Sequence, residues 1–449
     1  MAVSLEALSL PDELPAIPNG WRYESLGDLL EERGVCYGIV QPGSETTDGI
    51  PIVRVNNIRN GRIDTTDMMK VDARIEAKFQ RSRLRGGEVL LTLVGTLGEV
   101  AIVPDNLRGW NVARAVGVIP VRKDPGSLWV SICLRSEFIQ HCIRTWATTT
   151  VQATFNLRDL AKLPIPIPPK EMRERIAAAL GSLDDKIEVN RRMNATLEAM
   201  ARALFQSWFV DFEPLRAKLD GRQLRSLDIT TAALFPDSFD ISAPIPIPKG
   251  WKLCRLRDIA EIFSGGTPKK HHASFWQGAI PWISPKAMTQ IHVSDSDEHV
   301  SVTAIGNGTR QVPSGTVLVM VRGMGLHQGV RISQAQRDVT FNQDVKAIVA
   351  KSVPSTILFY GCLHAAPLLL SKVHSSGHGT GVLSTEFLDR LEFVIPPDEI
   401  CDRLAQPLNV LNSRISTNNQ ESRTLAALRD TLLPKLLSGE LRADGQSPS

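Results

Sequence analysis

Apolar residues recur along two stretches of the chain with the alternating spacing of four and three that is typical of a coiled-coil seam. In the first stretch the seam positions hold Ile176, Leu180, Leu183, Ile187, Asn190, Asn194, Leu197, Ala201, Leu204 and Trp208. In the second they hold Leu404, Leu408, Leu411, Ile415, Asn418, Ser422, Leu425, Arg429, Leu432 and Leu436. The pattern predicts two long helices, 170–210 and 398–440. Pro434 is expected to kink or end the second helix.

Elsewhere the apolar positions form short, strand-sized runs separated by glycine and proline. Residues 51–55, 88–94 and 317–321 are examples, and a helical pattern lies around 136–145. No apolar run approaches the ~18 residues that a membrane-spanning helix needs. The pattern therefore predicts mixed α/β domains joined to long helices, with no transmembrane segment.

The two parts of the chain are copies of one unit. Three short motifs recur in the same order: I-P-x-G-W at 17–21 and 247–251, G-x-V-L at 87–90 and 315–318, and I-P-P at 167–169 and 395–397. The offset slides from 230 to 228 positions along the series. A collinear series of this kind indicates an internal duplication.

The duplication predicts an α+β fold with pseudo-two-fold symmetry, in which two similar mixed α/β domains are separated by two long antiparallel coiled-coil helices. The predicted segments are domain 1 (1–169), a central helix (170–210), a connector (211–243), domain 2 (244–397), a distal helix (398–440) and a disordered tail (441–449). Such a rod would carry one domain near each end, which suits two separated places on an elongated partner such as duplex DNA.

Asn190 and Asn418 occupy the same seam position in the two copies. Each can be a partly solvated helix residue. Alternatively, the two form a buried polar pair that fixes the helix register at some cost in stability.

Composition and charge narrow the function. The chain has 449 residues, of which 43% are hydrophobic, and a formal net charge of +3, which excludes a strongly basic nucleic-acid coat but allows a local basic face. Residues 1–165 carry 19 basic and 19 acidic side chains, whereas residues 244–395 carry 15 and 10, together with eight of the nine histidines. Six scattered cysteines and an N-terminus without a secretion signal indicate mostly buried thiols in a reducing cytoplasm.

Motifs for catalysis and cofactor binding are not found in the sequence. It has no phosphate-binding G-x-x-x-x-G-K-[ST], no H-E-x-x-H, no G-x-S-x-G and no Asn/Asp-Pro-Pro-aromatic motif. His271-His272 and the pair His374 and His378 could suggest a metal, but exposed or nucleic-acid-facing histidines explain them better. We expect no catalytic centre, no cofactor and no metal site.

The motifs together resemble the specificity subunit of type I restriction–modification enzymes. The resemblance rests on the three repeated motifs and on a central block that begins L-G-S-L-D-D-K-I-E-V-N at 180–190 and closes with S-W-F-V-D-F at 207–212. A distal block, L-R-D-T-L-L-P-K-L-L-S-G-E-L at 428–441, completes it, so that nearly the whole chain is covered.

The resemblance implies that each domain is a target-recognition domain that reads one half of an asymmetric bipartite site in double-stranded DNA. The helices would set the length of the spacer and dock two methyltransferase subunits. Motor–endonuclease subunits would join that complex, which would supply the methyltransferase and ATP-dependent endonuclease activities that the chain itself lacks.

Polar side chains on strands, loops and helix starts are the candidates for DNA contact. They follow the first strand, lie in a basic segment at 74–85, follow the second apolar strand, or come late in each domain. The candidates are Arg54, Asn56, Asn57, Arg59, Arg81, Arg83, Thr96, Thr149, Gln152, Lys286, Arg322, His327, Gln328 and His378. For each of them, a phosphate contact or ordinary turn chemistry competes with base reading, and the basic segment can equally be a solvated helix face.

Two other functions remain compatible with the residues. A duplicated scaffold could join two proteins through a coiled-coil rod without touching DNA. An enzyme with an unrecognised active site is the second rival, although no acid, base or nucleophile pair recurs in both copies.

Overall fold

A computed structural model describes residues 14–59, 61–149, 153–222, 227–242, 244–376 and 379–441. They fall into two compact units, unit 1 within Met1–Glu188 and Ser422–Ser449 and unit 2 within Val189–Glu421. Each unit thus contains one predicted domain, the start of the helix that follows it and the end of the other helix. The predicted tail lies outside the described residues apart from Leu441.

Strands and short helices alternate through the first part of the chain. Its strands are β1 Arg22–Ser25, β2 Cys36–Tyr37, β3 Ile50–Val53, β4 Ile58–Arg59, β5 Arg62–Ile63, β6 Met69–Val71, β7 Val89–Thr92, β8 Val100–Ile102, β9 Asn111–Val112, β10 Val116–Ile119, β11 Thr148–Thr149, β12 Ala153–Thr154 and β13 Pro164–Ile167. They form the sheets β2-β10-β7-β8 and β6-β3-β9 and the pairs β1-β13, β4-β5 and β11-β12.

The second part repeats this organisation with more strands. They are β14 Phe239–Asp240, β15 Ile247–Pro248, β16 Lys252–Arg255, β17 Ala260–Ser264, β18 Ile280–Ile283, β19 His292–Val293, β20 His299–Val300, β21 Arg310–Val312, β22 Val317–Met320, β23 Arg322–Gly323, β24 Ile332–Ala335, β25 Val339–Phe341, β26 Val345–Ala350, β27 His374–Ser375, β28 Gly381–Val382 and β29 Glu392–Ile395. The sheets are β17-β26-β22-β24-β19, β20-β18-β25-β21 and β23-β28-β27, with the pairs β14-β15 and β16-β29.

Two of the helices are far longer than the rest. The helices are α1 Ala73–Glu76, α2 Ser127–Leu134, α3 Glu137–Trp146, α4 Leu157–Ala161, α5 Lys170–Phe205, α6 Glu213–Leu219, α7 Ile229–Ala232, α8 Leu256–Ile259, α9 Ser355–His364, α10 Ala366–Ser371, α11 Thr385–Asp389 and α12 Asp398–Ser438. A π-helical turn, Gln206–Val210, follows α5 directly. Among the described residues, none of these helices is both long and apolar enough to span a bilayer.

Matching strand pairs confirm the duplication and the α+β class. The first and last strands of each copy pair antiparallel, Arg22 with Ile167 and Lys252 with Ile395. A parallel pair also recurs, β3 with β9 and β18 with β25. The G-x-V-L motif supplies β7 and β22, whose residues are all buried and which pair with β10 and β26.

The I-P-x-G-W motif is a turn that docks the end of a long helix. Gly20 and Gly250 have φ of +83° and +86°, a left-handed conformation that glycine adopts without steric cost. In unit 1, Trp21 belongs to the core that contains Leu433 and Leu436 of α12. In unit 2, the ring of Trp251 lies 5.9 Å from each of three phenylalanines that follow α5, Phe209, Phe212 and Phe235.

Within each unit the two long helices contribute to one core. Unit 1 buries Ile176 and Leu180 of α5 with the leucines near the end of α12, whereas unit 2 buries Ala201 and Phe205 of α5 with Leu404 near the start of α12. The early part of one helix therefore packs with the late part of the other, which confirms the predicted antiparallel pairing.

Every predicted seam position is buried or half-buried, so the coiled-coil period in the sequence is the one that the structure uses. The sequence predicted that Pro434 would kink or end the second helix. The helix α12 continues through Pro434 to Ser438, so this proline does not end it. The buried Leu433 and Leu436 on either side offset the hydrogen bond that the proline lacks.

The cysteines match the sequence expectation. All six are free thiols, and five are buried, with Cys254 half-buried. Among the described residues, no group of three or more His, Cys, Asp or Glu side chains is placed to hold a metal ion.

Candidate nucleic-acid interface

Two polar segments of domain 2 that are distant in sequence form one small sheet. Arg322 on β23 and His374 on β27 both pair with Val382 of the central strand β28. Residues directly opposite each other in a sheet project from the same face. The His327 Nε2 atom also lies 3.3 Å from the Ser375 hydroxyl. The sheet therefore joins the loop after the second apolar strand to the loop late in the domain.

Most of the side chains on this sheet are accessible. Arg322, His327, Gln328 and His374 are all exposed. Imidazole and amide groups can donate and accept hydrogen bonds and a guanidinium donates only, which is the repertoire that base edges and phosphates require. The predicted candidates Arg322, His327 and Gln328 thus occupy one accessible surface, to which the structure adds His374.

Domain 1 builds the equivalent arrangement from different residues. Thr154 on β12 pairs with Thr148 on β11 and forms a bridge to Val94. The amide of Gly95 donates a hydrogen bond to the Ala153 carbonyl at 3.3 Å. The exposed Thr96 therefore lies in a loop beside the β11–β12 hairpin, and this loop corresponds to the one that follows Arg322 in domain 2.

Some candidates have side chains that the structure does not describe. Thr149 is the last residue of β11, where it pairs with Ala153. Gln152 and His378 lie outside the described residues, and their assignment stays a prediction.

The candidates for DNA contact in the loop after β3 are of two kinds, residues that make internal contacts and residues that are exposed. The buried Asn57 side chain accepts from the Arg54 amide at 2.9 Å and donates to the carbonyls of Asp64 at 3.1 Å and Asp67 at 3.0 Å. Arg54 itself pairs with Asp67 at 3.4 Å. Asn57 and Arg54 therefore hold the loop, whereas Asn56 and Arg59 are exposed.

The basic segment of domain 1 is not a continuous helix. The helix α1 ends at Glu76, and the 3₁₀ turn that follows contains a non-helical Phe79, with φ of −118° and ψ of 37°. The segment therefore has no single continuous helix face, and both interpretations of its basic residues stay predictions.

Two arginines of this segment make internal contacts. Arg81 Nε donates to the Arg33 carbonyl at 2.8 Å, and Arg83 forms a paired contact with Glu76 at 2.8 and 2.5 Å. The hydrogen bonds from Arg83 hold the pKa of the buried Glu76 carboxyl below its usual value. These arginines support the shape of domain 1.

Lys286 follows β18 in domain 2 at a place that matches the loop after β3. Its side chain is 85% exposed and lies 3.4 Å from Asp297, also highly exposed. A surface pair of this kind contributes little to stability, which leaves the ammonium accessible to a phosphate.

The two predicted register residues are fully buried in unit 2. Asn190 Nδ2 donates to the Glu421 carboxylate at 2.8 Å, and Asn418 Nδ2 donates to Asn194 Oδ1 at 2.8 Å. Asn194 in turn donates to Asn419 Oδ1 at 2.7 Å. The partly solvated alternative is therefore wrong, and a polar cluster crosses between the helices.

Sequence reasoning missed a second polar crossing, in unit 1. Arg429, which interrupts the apolar seam, donates to Asp184 at 2.6 Å, and Arg135 donates to the other oxygen of the same carboxylate at 2.9 Å. Burial alone would lower the pKa of Arg429, but its hydrogen bonds to Asp184 and Asp430 raise it. The signal was present in the sequence, since a charge in a seam position needs a partner.

Comparison with known proteins places the chain in one family. Residues 18–199 and 248–426 match the model of the type I restriction modification DNA specificity domain. The type I restriction enzyme HindI specificity subunit of Haemophilus influenzae is 27% identical over 349 residues, which are 68% of this chain and 74% of the relative. The EcoBI specificity subunit of Escherichia coli is 32% identical over 198 residues, 42% of each chain.

A solved structure gives a weaker match. The S subunit of the type I restriction–modification system of M. genitalium aligns over 95% of this chain and 99% of its own, with 16% identity and a TM-score of 0.49.

Proposed function

The chain belongs to the type I restriction–modification DNA specificity family, and on this premise we propose that it supplies the DNA sequence specificity of such a complex. Domain 1 and domain 2 each read one half of an asymmetric bipartite site in double-stranded DNA. The long helices set the spacer and dock two methyltransferase subunits, and motor–endonuclease subunits complete the complex. The chain is not catalytic by itself, uses no cofactor and works in the cytoplasm.

One observation carries the proposal. Each domain brings the loop after its second apolar strand against a late β-hairpin, so that an accessible polar surface is built twice on the same framework. The framework is shared, but the exposed side chains differ: Thr96 in domain 1, and Arg322 and His374 in domain 2. Different side chains on one framework are what two readers of different sequences require.

The candidates then divide by role. Asn56, Arg59, Thr96 and Thr149 of domain 1 and Lys286, Arg322, His327 and Gln328 of domain 2 contact DNA, with Gln152 and His378 retained as predictions. Arg54, Asn57, Arg81 and Arg83 hold the loops in shape through their internal contacts.

Methylome sequencing of a host that expresses the chain with its methyltransferase subunits tests the proposal. The expected result is one asymmetric bipartite site with a fixed spacer. Exchanging residues 244–395 for the domain of another family member should change one half of that site only. A change in both halves would contradict independent reading, and binding without sequence preference would favour a protein-joining scaffold. Methyl transfer by the chain alone would show that it is an enzyme.

The role of the helices has its own test. Four residues inserted after Lys186 lengthen a helix by about 6 Å, close to two base pairs of duplex DNA. The insertion also rotates one end of the helix against the other, so we expect an altered spacer or a loss of binding. An unchanged site would count against the helices as spacer.

A further inference from the structure

Two carboxylates on one face of α5 form ion pairs with three arginines in unit 1. Asp184 and Glu188 lie four residues apart, so they are neighbours on the helix surface. Asp184 accepts from Arg135 and Arg429, and Glu188 lies 2.7 Å from the Arg62 guanidinium. We call Asp184 and Glu188 the carboxylate bracket.

The three arginines come from three different parts of unit 1. Arg62 lies on the β4–β5 hairpin, Arg135 is the C-cap of α2 in the core of domain 1, and Arg429 lies on α12. A second nitrogen of Arg62 also donates to the Asp184 carbonyl at 3.5 Å. The bracket therefore ties a recognition hairpin, the domain core and the partner helix to one helical turn.

The negative charges of the carboxylate bracket and the positive charges of the β4–β5 hairpin compensate each other. Two like charges at positions i and i+4 destabilise a helix. Arg62 also lies directly across the hairpin from Arg59, and two such arginines repel. Glu188 offsets the charge of Arg62, so the hairpin can keep the exposed Arg59 beside it.

The fold does not require this bracket. At the duplication offset of 228, the positions equivalent to Asp184 and Glu188 hold Asn412 and Ser416. The second copy is thus built on the same framework without either carboxylate.

We propose that the carboxylate bracket is a positioning element that fixes the angle of the β4–β5 hairpin on α5, and thereby restricts the spacer length that domain 1 accepts. The proposal rests on the proposed function. Salt bridges depend on direction as well as distance, and Asp184 accepts from Arg429 and Arg135 through different oxygens. The hydrophobic effect is non-directional, so apolar packing at the same place would set the angle of the hairpin less tightly than these hydrogen bonds do.

The test uses the full chain co-expressed with its methyltransferase subunits and three variants, Asp184→Asn, Arg62→Gln and Arg429→Leu. Binding is measured on duplexes with the native spacer and with spacers one base pair shorter or longer. The half-site sequences should stay the same in every variant. Discrimination against the wrong spacers should fall about tenfold for Asp184→Asn and less for Arg62→Gln.

Arg429→Leu separates positioning from stability. Leucine restores the apolar seam, so the thermal midpoint should stay the same or rise while spacer discrimination falls. A merely structural role would give the opposite pattern, with discrimination following the midpoint. Arg108→Gln is the matched control, because Arg108 is a 65% exposed arginine of domain 1 that pairs with its surface neighbour Asp105. It should change neither quantity.

The outcomes distinguish the two proposals. If the wild-type complex binds all sequences alike, the proposed function fails. If it binds specifically, and Arg429→Leu and Arg62→Gln both fold and keep discrimination within about twofold of wild type, the bracket is not a positioning element and the proposed function stands. Should Asp184→Asn fail to fold, the other two variants still decide the question.

Discussion

The two junctions between a domain and the helix that follows it use different chemistry at equivalent positions. Junction 1, around Asp184, is a partly exposed network of charges in which Asp184 is 28% and Arg429 21% exposed. Junction 2, around Asn412, is buried in unit 2 and is held by hydrogen bonds between neutral side chains. There Tyr360 Oη donates to Asn412 Oδ1 at 2.6 Å, and Asn412 Nδ2 donates to Gln334 at 3.3 Å.

The difference shows that the duplicated framework fixes where a helix is held but not how. Thr356 and Asn409 add a second neutral hydrogen bond to junction 2, and Arg62 and Glu188 add a second ion pair to junction 1. Charged groups near solvent are screened by salt, whereas buried neutral hydrogen bonds are not. Junction 1 should therefore respond to ionic strength and junction 2 should not.

Introducing a carboxylate into junction 2, as in junction 1, should have the largest effect on stability. Asn412→Asp places an unpaired carboxylate at a site that is only 8% exposed, so unit 2 should lose about 3 kcal/mol of stability at neutral pH. Hydrogen exchange on the full chain, read from peptides of each unit, measures the loss. It should shrink as the pH falls, because the protonated carboxyl is neutral. A loss of the same size in unit 1 peptides would contradict a local effect.

Acid should distinguish the two units through His292, which is 4% exposed in unit 2. Burial, and to a lesser extent Arg202, lowers its pKa from 6.5 to about 4. The unfolded chain therefore binds this proton more readily, so the stability that depends on neutral His292 is complete above pH 6.5 and is lost between pH 6.5 and 4.

At pH 5 the loss in unit 2 should be about 2 kcal/mol, measured as opening free energies corrected for intrinsic exchange. Unit 1 contains Glu76, whose pKa is lowered from 4.5 in the folded state. The stability that depends on this ionised carboxylate is therefore lost only below about pH 4.5. The variant His292→Gln should remove most of the acid sensitivity of unit 2. An unchanged pH profile in this variant would rule out His292 as the cause.

Removing the hydroxyl of Tyr360 should weaken junction 2 alone. In Tyr360→Phe the buried Asn412 loses the donor to its carbonyl oxygen, which should cost about 1.5 kcal/mol. Chemical denaturation and exchange in the 398–421 part of α12 measure the cost, which should not change with added salt. Tyr23→Phe is a matched control, because its hydroxyl bonds to the Pro15 carbonyl at an exposed site.

Neutralising junction 1 should have the smallest effect on stability and a clear effect on salt dependence. Asp184→Asn keeps the shape of the side chain and should cost about 1 kcal/mol in low salt, since the network is partly exposed. In 1 M salt the wild type and the variant should approach each other. A gap that persists at high salt would mean that junction 1 is not held mainly by charge.

Local patterns predicted much of the fold. The seam positions from Ile176 to Leu436 predicted both long helices, because a helix repeats every few residues and its buried face is written into neighbouring positions. The G-x-V-L runs predicted β7 and β22 because a short continuous apolar run bounded by a turn residue is typical of a buried strand. The candidate site was predicted less completely. Its exposed groups, such as Thr96 and Arg322, were among the candidates, but the partners of Arg81 and Arg83 were not predicted. The identity of a charged residue does not show whether its side chain contacts another protein group or solvent.

By itself, the sequence determined that one unit is written twice, that each copy carries a long helix and that the motifs are those of DNA specificity subunits. Only the tertiary structure decided that Arg322 and His374 flank Val382 in one sheet, that Asn57 is a buried support and that Arg429 contacts Asp184. The physical reason is the separation along the chain over which each kind of interaction acts. Periodicity and turn motifs act over a few residues, whereas strand pairing and the choice of a polar partner join residues that lie far apart in the chain, here 60 positions for Arg322 and Val382 and 245 for Asp184 and Arg429.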